Sequence, residues 1–300
     1  NQKMQIKDRN KIKNDPRTGY EETLDLYYNK QRRQASSSKK NKWQEVWGRS
    51  THLRYKNKTL KWCSSDDKKT FEVNKRVASS RKLLEINGWL DKSNEITYEF
   101  NEHGFRSVSF ETKCKVLFNG CSQTMGIGLP LQMTWAGKVA EELDVPYHSV
   151  ACAGADWQHV CQRTLYWIPK LKPDFLILKE PPVPRFNWWD METVTSTAQF
   201  TSDELMDCKI RESRPLIDIV SDNNSIWYQY SMQMLIEKCC EDNNVQLLIL
   251  PNDRMPDDRI AKLTGKSTNR DNDYARDLCH KGPIEHEMVF KKVIENIRKL

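Results

Sequence analysis

Val116-Leu117-Phe118-Asn119-Gly120-Cys121-Ser122-Gln123-Thr124 is an apolar run that breaks into small residues and leaves a hydroxyl at the tip of the turn. The same rhythm recurs downstream. Apolar strands are expected at 115–119, 146–151, 174–179 and 245–250, and helical patterns at about 132–143, 156–169, 224–241 and 284–299. Continuous apolar strands alternating with helices predict an α/β domain with a parallel sheet covered on both faces. Ligands of such sheets lie beyond the carboxyl ends of the strands. Ser122 follows the first strand of the series, Gly154 the second, and Pro182 and Arg185 the third. Asp277 and His280 follow the last strand after a long loop, so the candidate groups fall on one edge of the sheet.

Ahead of this series, Phe71 to Ile86 carries an amphipathic pattern that Asn87-Gly88 ends, and Ile96 to Phe100 alternates as a short strand. The first sixty residues differ in kind. They hold 16 Lys and Arg against 6 Asp and Glu, a net of +10, whereas the other 240 residues sum to −3. Segment 30–42 has almost no apolar residue and reads as a flexible basic linker. Trp43, Trp47, Tyr55 and Trp62 follow among cations. Two readings stand: a stacking surface for nucleic acid, or a polar arm laying a few aromatics on a neighbouring surface. The expected organisation is a basic, partly flexible extension over 1–69 and an α/β domain over 70–300, with an insertion at 187–222 that is either a lid-like loop or a short helix at 203–211.

With 38% hydrophobic residues, ten Trp, ten Tyr and nine Phe, the chain can build a core. No apolar run approaches the roughly eighteen residues of a membrane span. No signal peptide is visible, and a cytoplasmic or virion-associated protein is expected. The nine Cys are odd in number and irregularly spaced, with no C-x-x-C. They read as reduced thiols, not as a disulfide framework or a metal site, and no metal or other cofactor is expected.

A serine alone attacks nothing at neutral pH. It needs a base to take its proton, and an imidazole needs a carboxylate to fix its tautomer and stabilise its cation. Ser122, Asp277 and His280 supply these groups, with Asp and His in Asp277-Leu278-Cys279-His280 just ahead of a helix start. Each has a plainer alternative. Ser122 also suits a helix N-cap, Asp277 can pair with Arg276, and Gly154 serves a close turn in either case. Asp156 reads as the cap of helix 156–169, and His286 as structural. Glu180 and Arg185 bind either substrate or each other.

Gly120-Cys121-Ser122-Gln123-Thr124 resembles the first block of the SGNH (GDSL-like) hydrolases, Ala153-Gly154-Ala155 the second, and Asp277-Leu278-Cys279-His280 the last. The flanking Asn101-Glu102-His103-Gly104-Phe105-Arg106 and Lys281-Gly282-Pro283 resemble a branch frequent in phage and environmental sequences. The resemblance covers about residues 95–300. It implies a three-layer α/β/α, flavodoxin-like fold and a metal-independent serine hydrolase acting on esters, often acyl groups on carbohydrates or lipids. It makes Ser122 the nucleophile and first oxyanion donor, Gly154 the second donor, His280 the base and Asp277 its orienter. Two departures stand out. Cys121 replaces an Asp, and no Gly-x-Asn follows the third strand, which ends Lys179-Glu180-Pro181-Pro182. Arg185 or Asn187 is left to replace the missing oxyanion donor.

Three functions follow as expectations. One is a serine esterase or acyl hydrolase whose partner is an ester-bearing small molecule or glycan. Another is a non-catalytic SGNH-like binding or structural module of a viral or phage particle. The third is nucleic-acid or protein contact through residues 1–60.

Overall fold

The computed structural model describes residues 48–92, 95–181, 186–190, 195–200, 222–252 and 272–299, with backbone alone at 186–190, 195–200 and 222–225. Four parallel strands form the central sheet: β3 (Val116–Asn119), β4 (Tyr147–Ser149), β5 (Phe175–Lys179) and β8 (Gln246–Leu250), in the order β4-β3-β5-β8. Two short strands, β1 (Thr59–Leu60) and β2 (Tyr98–Glu99), pair antiparallel apart from it. At the start of the expected insertion, beginning one residue before it, β6 (Phe186–Asp190) and β7 (Thr195–Phe200) form an antiparallel hairpin with a register shift between Trp188 and Trp189. The helix expected at 203–211 lies outside the described residues.

The two-residue period of a strand sorts its side chains between two cores. Leu117, Leu176 and Leu178 face one way, onto Val160, Cys161 and Ile168 of α5 (Trp157–Leu171) and Ile236 and Cys240 of α6 (Asp222–Asp242). Val116, Phe118 and Ile177 face the other way. They meet Trp135 and Val139 of α4 (Trp135–Leu143) and Val293 and Ile294 of α7 (Pro283–Ile297). The result is the expected α/β/α layering, and the continuous apolar composition of β3 follows from burial on both faces.

A third cluster caps the carboxyl ends of the strands. Met125 and Ile127 follow β3, Ala151 follows β4, and Ala275 belongs to the Asp277–His280 loop. Phe71 of α1 (Lys68–Arg76) and Leu84 of α2 (Ala78–Ile86) cover them, with Cys63, Trp89 and Tyr98. The single helix expected over 71–86 is broken at Val77, whose backbone is extended at φ −81°, ψ 118°. Residues 48–69, assigned by composition to the basic extension, are therefore built into the α/β body. The described residues all fall in the unit Trp47–Leu300. Trp62, Cys63 and Asp66 are the reason: each makes tertiary contacts that a count of charges conceals. Residues 1–47 lie outside the described residues. Among the described residues, no helix is long and apolar enough to cross a membrane.

Candidate functional site

Gly120 turns the chain off β3. Its φ of +149° and the closeness of Thr124 Oγ1, 2.3 Å from where a Cβ would sit, exclude a side chain there. Ser122 opens the one-turn helix α3 (Ser122–Met125), with Cys121 at the N-cap and Gly126 ending the turn. The helix is wholly buried, and Ser122 itself is 7% exposed.

Asp277 and His280 sit at the tip of a small hairpin. Its arms are joined by the Tyr274–Lys281 bridge, by Ala275 N–H to His280 O (3.0 Å) and by Gly282 N–H to Asp273 O (3.0 Å). Within the tip, Asp277 Oδ1 accepts the N–H groups of Cys279 (3.1 Å) and His280 (3.0 Å). That local turn accounts for the spacing of the motif. It carries the backbone round so that the imidazole of residue i+3 returns to the carboxylate of residue i. His280 Nδ1 lies 2.6 Å from Asp277 Oδ2. A carboxylate can only accept, so Nδ1 carries the proton and the neutral ring keeps its lone pair on Nε2. The Asp277 side chain is 0% exposed. Burial alone would raise its pKa, but the hydrogen bond and charge of His280, with a bond from Ser65, hold it below the ordinary carboxylate range.

The loops bearing the candidate groups are bonded to one another. Cys152 N–H, two residues before Gly154, donates to Gly120 O (3.3 Å), and Arg276 N–H donates to Gly128 O (3.0 Å). At Gly128 a Cβ would lie 2.8 Å from that of Ala275, so glycine permits the two loops to touch. Gly154 has φ +75°.

Sequence reasoning missed the network that holds these loops. Arg276 does not pair with its neighbour Asp277. Its Nε and Nη2 instead clasp Asp66 at 2.9 and 2.6 Å, while its guanidinium lies 3.9 Å from the Trp62 ring centre. Arg276 and Asp66 are 0% and 1% exposed. Tyr98 Oη donates to the same carboxylate (2.6 Å) and accepts Gly128 N–H (2.7 Å). Arg106 donates to the carbonyls of Thr97, Met125, Gly126 and Leu129, tying down the turn after Ser122. Its upstream motif is structural: Asn101 Oδ1 accepts from His103 and Phe105 N–H. A sequence signal existed at Asp67, which caps α1 by accepting Thr70 N–H.

Asp156 caps α5, accepting His159 N–H (2.9 Å) and bonding His159 Nδ1 (2.7 Å). Glu180 is engaged at the sheet edge. It accepts Gln229 Nε2 (3.4 Å) and Asn252 N–H (3.1 Å). Arg185 and the side chain of Asn187 lie outside the described residues. Cys121 and Cys152 are core residues, and Cys279 is exposed. Among the described residues, no group of three His, Cys, Asp or Glu is placed to hold a metal. A cleft of about 530 Å³ lined by Gln132, Glu141, Pro146 and Tyr147 lies at the amino end of β4, not at the site.

His286 is buried on α7, where Nδ1 accepts Trp135 N–H (2.9 Å). Burial, with Lys179, His280, Lys138 and Arg106 nearby, brings its pKa to about 3. A histidine kept neutral in the fold but protonated in the unfolded chain costs stability as pH falls. Its contribution is complete above about pH 6.5 and declines by about 1.4 kcal/mol per unit toward pH 3. His286→Asn keeps an acceptor for Trp135 and removes the proton site. Urea unfolding of this variant is expected to show a flatter loss of stability between pH 6 and 4 than the wild type; an unchanged slope contradicts the assignment.

No family model matches the chain, and no curated protein does. Solved structures do align with it. TesA is 11% identical, covering 62% of this chain and 98% of its own, at a TM-score of 0.36. The esterase EstA from Pseudoalteromonas sp., in a form inhibited by monoethylphosphonate, is 14% identical, covering 62% and 97%, at 0.31. A carbohydrate esterase is 12% identical, covering 63% and 66%, at 0.33. Identities this low leave the chemistry to be read from this chain's own residues.

Proposed function

We propose that the chain is a serine hydrolase of SGNH type that cleaves acyl esters carried by a small molecule or glycan. The observation that supports it most is the buried Asp277 carboxylate held 2.6 Å from His280 Nδ1, on a loop bonded to the turn that follows Ser122. In this reading His280 Nε2 takes the Ser122 proton as Oγ attacks the ester carbonyl carbon. The oxyanion receives the N–H groups of Ser122 and Gly154. Collapse expels the alcohol with the proton from His280. Water, deprotonated by the same ring, then releases the acid and restores Ser122.

A second reading is a non-catalytic binding module of the same fold, which the occupied Glu180 at the third-block position favours. Turnover separates the two. If the Ser122 and Gly154 backbone groups are the sole donors and neither Arg185 nor Asn187 adds a third, activated esters such as a nitrophenyl acetate are expected to be cleaved and unactivated ones poorly, because a missing donor typically costs about a hundred- to a thousand-fold. Absence of turnover on every ester supports the module.

A further inference from the structure

We propose that Ser65, from the segment before α1, is a positioning residue for the Asp277–His280 pair, acting through the carboxylate oxygen that faces the imidazole. The proposal rests on the hydrolase reading above. Ser65 Oγ donates to Asp277 Oδ2 at 2.7 Å, and His280 Nδ1 meets that same oxygen at 2.6 Å. The other oxygen takes the N–H groups of Cys279 and His280. Three of these four donors belong to the carboxylate's own hairpin and move with it. Ser65 is separated from it by 212 residues and belongs to a different part of the fold.

That difference gives Ser65 two effects. It fixes the carboxylate against the rest of the domain, so the imidazole is oriented relative to more than its own loop. It also draws charge from Oδ2, which weakens the hold of the carboxylate on a protonated His280. Ser65 is anchored for this task. Its neighbours Cys63 and Asp66 are bridged through their backbones, and Asp66 is clasped by Arg276, the residue before Asp277. Further upstream, Ser50 Oγ lies 3.3 Å from Cys152 Sγ, on the loop that carries Gly154. Among the described residues, charged or titratable groups about the pair include Cys279 in the hairpin, the Asp66–Arg276 ion pair and His286 on α7.

The test is the titration of His280, followed by NMR of ring-labelled histidine in the full chain, beside the kinetics. In Ser65→Ala the carboxylate holds the imidazolium more strongly, so the His280 midpoint is expected to move to higher pH than in the wild type. The acid limb of kcat/KM is expected to move with it, and kcat to fall about ten-fold with KM little changed, as for a contact that matters in the transition state. Ser65→Thr, which keeps the hydroxyl, restores both. A merely structural role would lower the melting temperature without moving the midpoint. An unmoved midpoint in folded Ser65→Ala overturns the proposal. If that variant does not fold, Ser65→Cys, a weaker donor of similar size, takes its place with the same expected direction. The hydrolase reading fails by a different sign: no covalent labelling of Ser122 in the wild type, a result independent of the His280 midpoint.

Discussion

Replacing Ser122 or His280 by Ala is expected to lower kcat on an activated ester by about four to six orders of magnitude, with the fold intact. Ser122 is small and opens a helix of one turn, and the His280 side chain retains 17% exposure. Two features of the kinetics distinguish this from general damage. The double variant is expected to lose no more than either single one, because the two groups act as a unit. Asp277→Asn is expected to cost about ten-thousand-fold, since an amide can present its N–H to Nδ1 and impose the wrong tautomer. Initial rates with nitrophenyl acetate, with circular dichroism to confirm folding, check all three. Full activity in Ser122→Ala would place the chemistry elsewhere.

The largest effect on stability is expected at Arg276. Arg276→Met keeps much of the side-chain length but leaves the Asp66 carboxylate buried, with Tyr98 Oη as a remaining donor. It also removes a cation from the face of Trp62 and donors from the carbonyls of Lys61 and Lys92. Breaking one side of a buried ion pair costs about 3–5 kcal/mol. For a domain of this size that corresponds to a fall of roughly 10 °C in melting temperature. Removing both charges, as in Asp66→Asn with Arg276→Met, is expected to recover part of the loss, because no uncompensated charge is then buried. Calorimetry on the two single variants and the double variant measures the coupling. A fall of less than about 2 °C for Arg276→Met would show that the pair does not staple the loop.

These two expectations divide along what the sequence discloses. The sheet was legible because strands buried on both faces must be apolar throughout, as in Val116-Leu117-Phe118. The Asp277–His280 contact was legible because it is local, closing over three residues through a turn that Asp favours. The Asp156 cap was legible for the same reason. Asp66–Arg276 and Ser65–Asp277 were not, since their partners lie 210 and 212 residues apart and nothing local marks them. A high density of Lys and Arg concealed that Trp62, Cys63 and Asp66 are buried or stacked. The break at Val77 was hidden because apolar residues continue at helical spacing across it. Glu180 was singled out for its place at the strand end, and only tertiary structure shows its carboxylate occupied by Gln229 and Asn252.

The central claim is that Ser122 is a nucleophile activated by His280. A fluorophosphonate reacts with activated serines and leaves a phosphonyl group on Oγ, so the folded chain can be treated and its peptides mapped by mass spectrometry. One adduct is predicted, on Ser122, and it should be lost in His280→Ala. An adduct on another residue, or none on well-folded wild type, would contradict the claim.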